Sequence, residues 1–297
     1  MIPVSSTGDI AVAVLLGGPA VAALLAMTLP GRSAAGVNAA ASLLSFLAAL
    51  ALFFQRPEPG LFIQVDDLNI ALIALTTFIA FTSSLFSAGY IAHERGTGRL
   101  TPRTDRFYHA MYQGLMFAMA LALLANNIGL MWVAIELATL SAVLMVGLYR
   151  TPAALEAAWK YFILGSVGVA LALFGTILVY FAASGWVGEG LDAMAWTVLV
   201  GRAAGFDPTL LNIAFIFLLL GYGTKMGLVP MHAWLPDAHA EGPTPITAVL
   251  SGLLINVSLY VVLRFKMVVT ANPHTLPPGP LMVGLGLLTV IFGSLML

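Results

Sequence analysis

Apolar residues in this chain do not alternate with polar ones; they run on. Stretches of about 20 almost uncharged residues recur from end to end, and at about 1.5 Å per residue each crosses a hydrocarbon core of about 30 Å. The runs predict nine spanning helices, at residues 10–29, 35–54, 68–91, 107–125, 128–149, 153–183, 209–226, 245–265 and 280–297. No period of two runs through them, which argues against a β-barrel. They are apolar all round, as lipid-embedded helices are. The expected fold class is an all-α polytopic transmembrane bundle of about nine spans, the seventh of them broken.

The connections between runs are short. Residues 55–67 carry Pro57, Pro59 and Gly60 and read as a hairpin or loop. Residues 184–207 form the longest connection, and Trp186 and Trp196 in it suit an interfacial helix. Trp132, Trp159 and Trp234 also fall near predicted ends, where interfacial anchoring is the default role. Asn126 and Asn127 read as a tight turn between two spans. No basic flank precedes the first run, so it does not resemble a cleaved signal peptide. Arg32, Arg95, Arg99, Arg103, Arg106 and Arg150 fall in loops of one side and Arg56, Arg202, Arg264 and Lys266 in loops of the other. The positive-inside rule then places the N-terminus outside a bacterial or archaeal plasma membrane. The last apolar run stops at Leu297 with no polar flank, which leads us to expect a longer protein.

Composition narrows the class. Of 297 residues 60% are hydrophobic and 8% charged, with a mean hydropathy of +0.99, against about 25% charged residues in soluble domains. A net charge of −1 offers no basic stripe for nucleic acid. The absence of cysteine excludes disulfides, thiolate zinc sites and cysteine-held iron–sulfur clusters.

Four polar positions interrupt the apolar runs and carry the functional reading: Glu136, Lys160, Lys225 and Asn256. A charge at the bilayer centre costs at least about 2.5–3.5 kcal/mol, so such groups face a polar interior and mark ion pathways. Glu136 and Lys160 are expected to lie within direct or one-water reach on facing helices, as a pair that titrates together. Lys225 precedes Gly227 and Pro230, and a helix interrupted there, between about Met226 and Pro230, would hold the lysine in the protein interior. His232, Asp237, His239 and Glu241 are better suited to a polar loop lining a proton entrance than to a metal site, because Pro236 interrupts them. No cofactor motif, nucleophile triad or phosphate loop is present, so no catalytic residues, metal or cofactor are assigned.

At these residues a family resemblance enters. The stretches Gly129-Leu-Met-Trp-Val-Ala-Ile-Glu136, Lys160-Tyr-Phe-Ile-Leu-Gly165 and Lys225-Met-Gly-Leu-Val-Pro-Met-His-Ala-Trp-Leu-Pro-Asp-Ala-His-Ala-Glu-Gly-Pro-Thr-Pro245 resemble the antiporter-like membrane subunits. These are found in respiratory complex I, Mrp-type cation/proton antiporters and group 4 nickel–iron hydrogenases. Together with Leu148–Lys160, the wording is most similar to hydrogenase-4 component F. The resemblance implies that Glu136, Lys160 and Lys225 belong to a buried polar axis coupling proton movement to a redox partner. Asn256 departs from it, falling where many relatives carry a lysine or histidine.

The resemblance also implies an organisation: residues 1–106 as three N-terminal helices, 107–268 as a five-helix core, and 269–297 as the truncated start of a second helical unit. The function it implies is a proton- or cation-translocating, non-redox subunit of a membrane-bound oxidoreductase, hydrogenase-4-like or complex I-like. An Mrp-type antiporter subunit and a structural scaffold are the alternatives. Other membrane subunits, the lipid bilayer and protons or monovalent cations are the implied partners, and nucleic acid is not.

Overall fold

The computed structural model describes residues 7–296, and they form a helical bundle. The helices are α1 (Thr7–Thr28), α2 (Gly31–Ala51), α3 (Asp67–Gly96), α4 (Pro102–Leu124), α5 (Ile128–Val146), α6 (Pro152–Val187), α7 (Trp196–Arg202), α8 (Pro208–Met226), α9 (Leu235–Glu241), α10 (Thr244–Val249), α11 (Ile255–Thr270) and α12 (Pro278–Leu295). Among the described residues nine helical segments are long and apolar enough to cross a membrane, in the order the apolar runs predict. Two of them are composite: α5 runs on into a 3-10 turn, Gly147–Tyr149, and α10 passes through a π-helical turn, Leu250–Leu254, into α11.

Helix starts sit where capping chemistry puts them. Thr101 and Thr104 bond each other's backbone N–H groups ahead of Pro102, so α4 begins before the purely apolar run. Asp66 caps α3 by accepting from the N–H groups of Leu68 and Asn69. Asp207 does the same for α8, accepting from Thr209 and Leu210.

α4 is the most enclosed span, packed against α1, α2, α3 and α5, and α12 lies exposed at the edge. α6 and α8 make the closest pair. Their approach depends on missing side chains: a Cβ on Gly221 would fall 2.6 Å from the carbonyl oxygen of Gly168, and one on Gly175 2.8 Å from that of Ala214. Small residues let membrane helices bring their backbones together in this way.

The face holding residues 52–66, 125–127 and 188–207 is closed by polar contacts rather than open loops. Asn126 donates through Nδ2 to the Gly60 carbonyl (2.7 Å) and to Thr197 Oγ1 (3.0 Å), so it ties three connections together instead of making a simple turn. Trp196 is buried, not interfacial; its Nε1 donates to the Arg264 carbonyl at 2.8 Å. The expected interfacial helix is correspondingly reduced to α7, and of the two tryptophans only Trp186, in the last turn of α6, stays exposed.

Arg264 is likewise not in a loop. It lies in α11 with its guanidinium buried, donates to Asp66 Oδ2 at 2.6 Å and to Tyr260 Oη at 2.8 Å, and stacks over Trp196. Burial alone would raise the Asp66 carboxyl, but the Arg264 bond and the cap N–H groups hold it below the usual carboxylate range. A depressed folded-state pKa adds stability above the unfolded value that is lost as pH falls through the folded one. Asp66→Asn is expected to lower stability by about 3 kcal/mol at neutral pH, since it strands a buried guanidinium. A thermal melt in detergent checks this, and the deficit should shrink in acid.

Candidate functional site

α8 ends two residues past Thr224 because Gly227 adopts the left-handed conformation (φ 74°, ψ 28°), which closes the helix with the Leu228 N–H donating to the Gly223 carbonyl at 2.9 Å. Residues 228–234 then turn away before α9. Lys225 sits in the last turn of α8, fully buried, and its Nζ has no hydrogen-bond partner.

What surrounds this ammonium is a cage from α5, α6 and the turn after α8. Nζ lies 5.2 Å from the centre of the Tyr161 ring, within cation–π range. Tyr161 stacks on Trp234 with ring centres 4.2 Å apart, and Trp234 Nε1 donates to the Thr224 carbonyl at 2.7 Å. That carbonyl also accepts the Gly227 N–H at 3.3 Å, so the indole adds a second bond at the helix end. Gly165 makes room for the lysine: a Cβ there would stand 2.5 Å from Nζ. The charge facing Lys225 is Glu136 of α5, which interacts electrostatically with both Lys225 and Tyr161. Glu136 Oε2 and Tyr161 Oη are also buried without a hydrogen-bond partner. Three orphan polar atoms therefore gather in one apolar interior, where such groups are normally paired.

Lys160 is elsewhere. It forms ion pairs with Glu156, one turn back (2.8 Å), and with Asp237 of α9 (2.7 Å), and its side chain is 47% exposed. No ion pair joins Glu136 to Lys160, so the pairing expected from the sequence is replaced by Glu136 facing Lys225. The reason is helical phase: Lys160 and its neighbour Tyr161 are about 100° apart around α6, and the tyrosine takes the inward direction.

Asn256, in the first turn of α11, donates to the carbonyl of Gly252 in the preceding π-helical turn at 2.6 Å. Of the loop residues, Asp237 joins Lys160, while His232 Nδ1 is buried without a hydrogen-bond partner. His239 and Glu241 are half-buried on α9. Trp234 is wholly buried and Trp132 Nε1 donates to the Val169 carbonyl, so of the tryptophans read as anchors, Trp159 and Trp186 stay exposed.

A second polar cluster was not singled out from the sequence. On α4, Asp105, His109 and Gln113 recur every fourth residue and face Asn38 and Ser42 of α2. Asp105 accepts from Arg95 at 2.9 Å and lies 3.5 Å from His109 Nε2; Asn38 Nδ2 is 3.2 Å from His109 Nδ1, and Gln113 Nε2 donates to Asn38 Oδ1 at 2.6 Å. The i, i+4, i+8 spacing was the available signal.

A polytopic helical bundle with a caged lysine facing a half-buried glutamate defines a class of membrane subunit rather than a soluble enzyme. Residues 125–297 match the NADH:quinone oxidoreductase/Mrp antiporter transmembrane family, and the chain belongs to that family. It is thus an antiporter-like membrane subunit, similar to proteins named for hydrogenase-4 and complex I-type assemblies.

A hydrogenase-4 component F homolog of Methylacidiphilum infernorum is 62% identical over 265 residues, covering 89% of this chain and 56% of that protein. NAD(P)H-quinone oxidoreductase chain 4 of Gloeobacter violaceus is 26% identical, covering 93% of this chain and 52% of its own length. The chain spans about half the length of these relatives. The fold is shared with a chain of respiratory complex I from Thermus thermophilus (TM-score 0.75, 23% identity, 96% of this chain and 58% of that one). It is shared also with a chain of an archaeal membrane-bound sulfane sulfur reductase (TM-score 0.80, 21% identity, 95% and 58%).

Proposed function

We propose that this chain carries the proton- or cation-translocating step of a membrane-bound redox complex of hydrogenase-4 or complex I type, with Glu136 and Lys225 as the exchanging pair. The observation that carries this reading is the wholly buried Lys225 side chain, whose Nζ has no hydrogen-bond partner and which interacts electrostatically with Glu136. In a low-dielectric interior each charge is stabilised mainly by the other, so neutralising one disfavours charge on its neighbour. A pair of this kind passes a proton when a partner's charge changes, and a bridging water between the orphan atoms would conduct it.

In this reading α8 and α9 are the two parts of a broken spanning helix. Lys160 and Asp237 form the next station, and His232, His239 and Glu241 line the route to the surface. Asn256 marks the onward side at the π-helical turn, a feature that recurs at functional sites. Residues 107–268 act as the working core, 1–106 flank it, and 269–297 open a second helical unit. The chain itself does no redox chemistry; that falls to partner subunits in the plasma membrane, where the N-terminus faces outward.

The test is Glu136→Gln in the assembled, reconstituted complex. The amide keeps the shape and cannot ionise, so coupled proton translocation should fall about 10²-fold or more, the scale of removing a positioned proton-transfer group, while insertion and assembly persist. Wild-type pumping by that assembled variant overturns the reading. The family's Mrp members favour one second reading, cation/proton exchange without electron transfer. Exchange driven by a pH gradient alone, with no electron donor, would select it.

A further inference from the structure

Between the ends of α4, α5 and α6, on the face where the connections 97–101 and 147–151 lie, a groove of about 1010 Å³ opens sideways out of the bundle. Arg99, Arg103 and Arg150 line it at the helix ends, in or beside these connections, and Leu144, Trp159 and Phe162 line it further along α5 and α6. Phe162 is ten residues past the start of α6, about 15 Å along the axis. Leu144 and Trp159 are exposed, with 61% of Trp159 accessible.

The arginines are not spent on internal partners. Arg103 and Arg150 enter no ion pair among the described residues, and Arg99 meets only Glu94, at 3.5 Å. Arg150 adds an independent observation. It is the one non-glycine residue with positive φ among those described (φ 55°, ψ 21°), closing the short 3-10 turn Gly147–Tyr149. Glycine is the default at such a position, and a side chain held there against its backbone preference points to a use for that side chain.

We infer that this groove holds an anionic phospholipid, its phosphate among Arg99, Arg103 and Arg150 and its acyl chains against Leu144, Trp159 and Phe162. A single lipid molecule supplies both things the groove asks for: negative charge at the helix ends and flexible apolar chains further along. A partner helix would have to bring acidic groups to three arginines and still fill the apolar part. Basic pockets between spanning helices select anionic headgroups on the same grounds.

The test uses the full-length protein in its complex, placed in nanodiscs of phosphatidylcholine containing graded phosphatidylglycerol, with bound lipid read by native mass spectrometry. Wild type should retain phosphatidylglycerol in preference to phosphatidylcholine. Arg103→Gln with Arg150→Gly should weaken that retention about tenfold or more, the scale of losing two basic contacts to a headgroup. Arg150→Gly alone separates the site from the fold, because glycine suits the left-handed turn; it should melt no lower than wild type in lipid-free detergent while losing part of the preference. Equal retention of the two lipids by wild type, or an undiminished preference in the double variant, overturns the inference. So does a photocrosslinker at position 159 that labels a partner subunit instead of lipid in the assembled complex.

Discussion

Lys225→Met is expected to abolish coupled ion translocation while leaving the stability of the protein nearly unchanged. Methionine follows the shape of the lysine stem and adapts to irregular space, so the cage beside Tyr161 and Gly165 stays filled. Removing the lysine leaves Glu136 without its counter-charge, but that carboxyl is only half-buried and is neutralised by taking up a proton, so the cost of an unpaired charge is avoided. Translocation should therefore be lost without a matching loss of stability, which a merely structural lysine would not show.

Lys225→Arg is the complementary variant. Its guanidinium stays charged at any pH a membrane survives, so it cannot hand a proton on. It also needs more space where Gly165 already leaves just enough for Nζ. Transport should fail in both variants, by about 10²-fold or more, and lost stability should accompany only the arginine. Proton movement by the reconstituted complex, read beside its melting temperature, checks both. Full transport by Lys225→Met removes the functional role of this residue.

The largest effect on the fold is expected at the α6–α8 contact. In Gly221→Val the new Cβ would meet the Ala172 backbone nitrogen at 2.5 Å and the Gly168 carbonyl oxygen at 2.6 Å. Both are backbone atoms, so the helices must separate. Overpacking a tight contact costs about 1–3 kcal/mol and occasionally more, and a β-branched residue against backbone belongs at the upper end. Separation would also move Thr224 and Lys225 relative to α6, so transport should fall along with the melting temperature. Gly17→Ala in α1 is the control, because a Cβ there meets nothing within 4 Å. It should be neutral or slightly stabilising, by at most about 1 kcal/mol, through better helix propensity. If Gly221→Val melts like Gly17→Ala, the close α6–α8 contact is not what holds these helices.

How much of this was legible beforehand follows from what each signal depends on. The spans were readable because lipid solubility needs only a run of apolar residues, and that is local information. Glu136 and Lys225 were readable for the same reason, as charges interrupting such runs. Which groups meet was not readable, because α6 is apolar on every side and gives no phase. The sequence accordingly suggests a Glu136–Lys160 pair, whereas Tyr161 is the residue that turns inward and Lys160 reaches Asp237.

Trp196, Trp234 and Arg264 were misplaced by a second cause. They lie near predicted ends, and ends were equated with the membrane surface. Here the connections fold back over the bundle, so end residues become interior ones: Trp234 under Tyr161, and Arg264 beneath Trp196 with Asp66. The Asp105–His109–Gln113 column escaped notice because its partners, Asn38 and Ser42, are about 70 residues away in sequence and neutral, so no charge pattern flagged them.

The central claim is that Glu136 and Lys225 work as one proton-exchanging unit. Its most direct test is the number of protons moved per turnover by reconstituted complexes carrying Glu136→Gln, Lys225→Met, and both. Groups acting as a unit are strongly non-additive, so either single change should remove nearly all coupled movement and the double variant should be no worse than either one. Partial losses that simply multiply in the double variant would contradict the account.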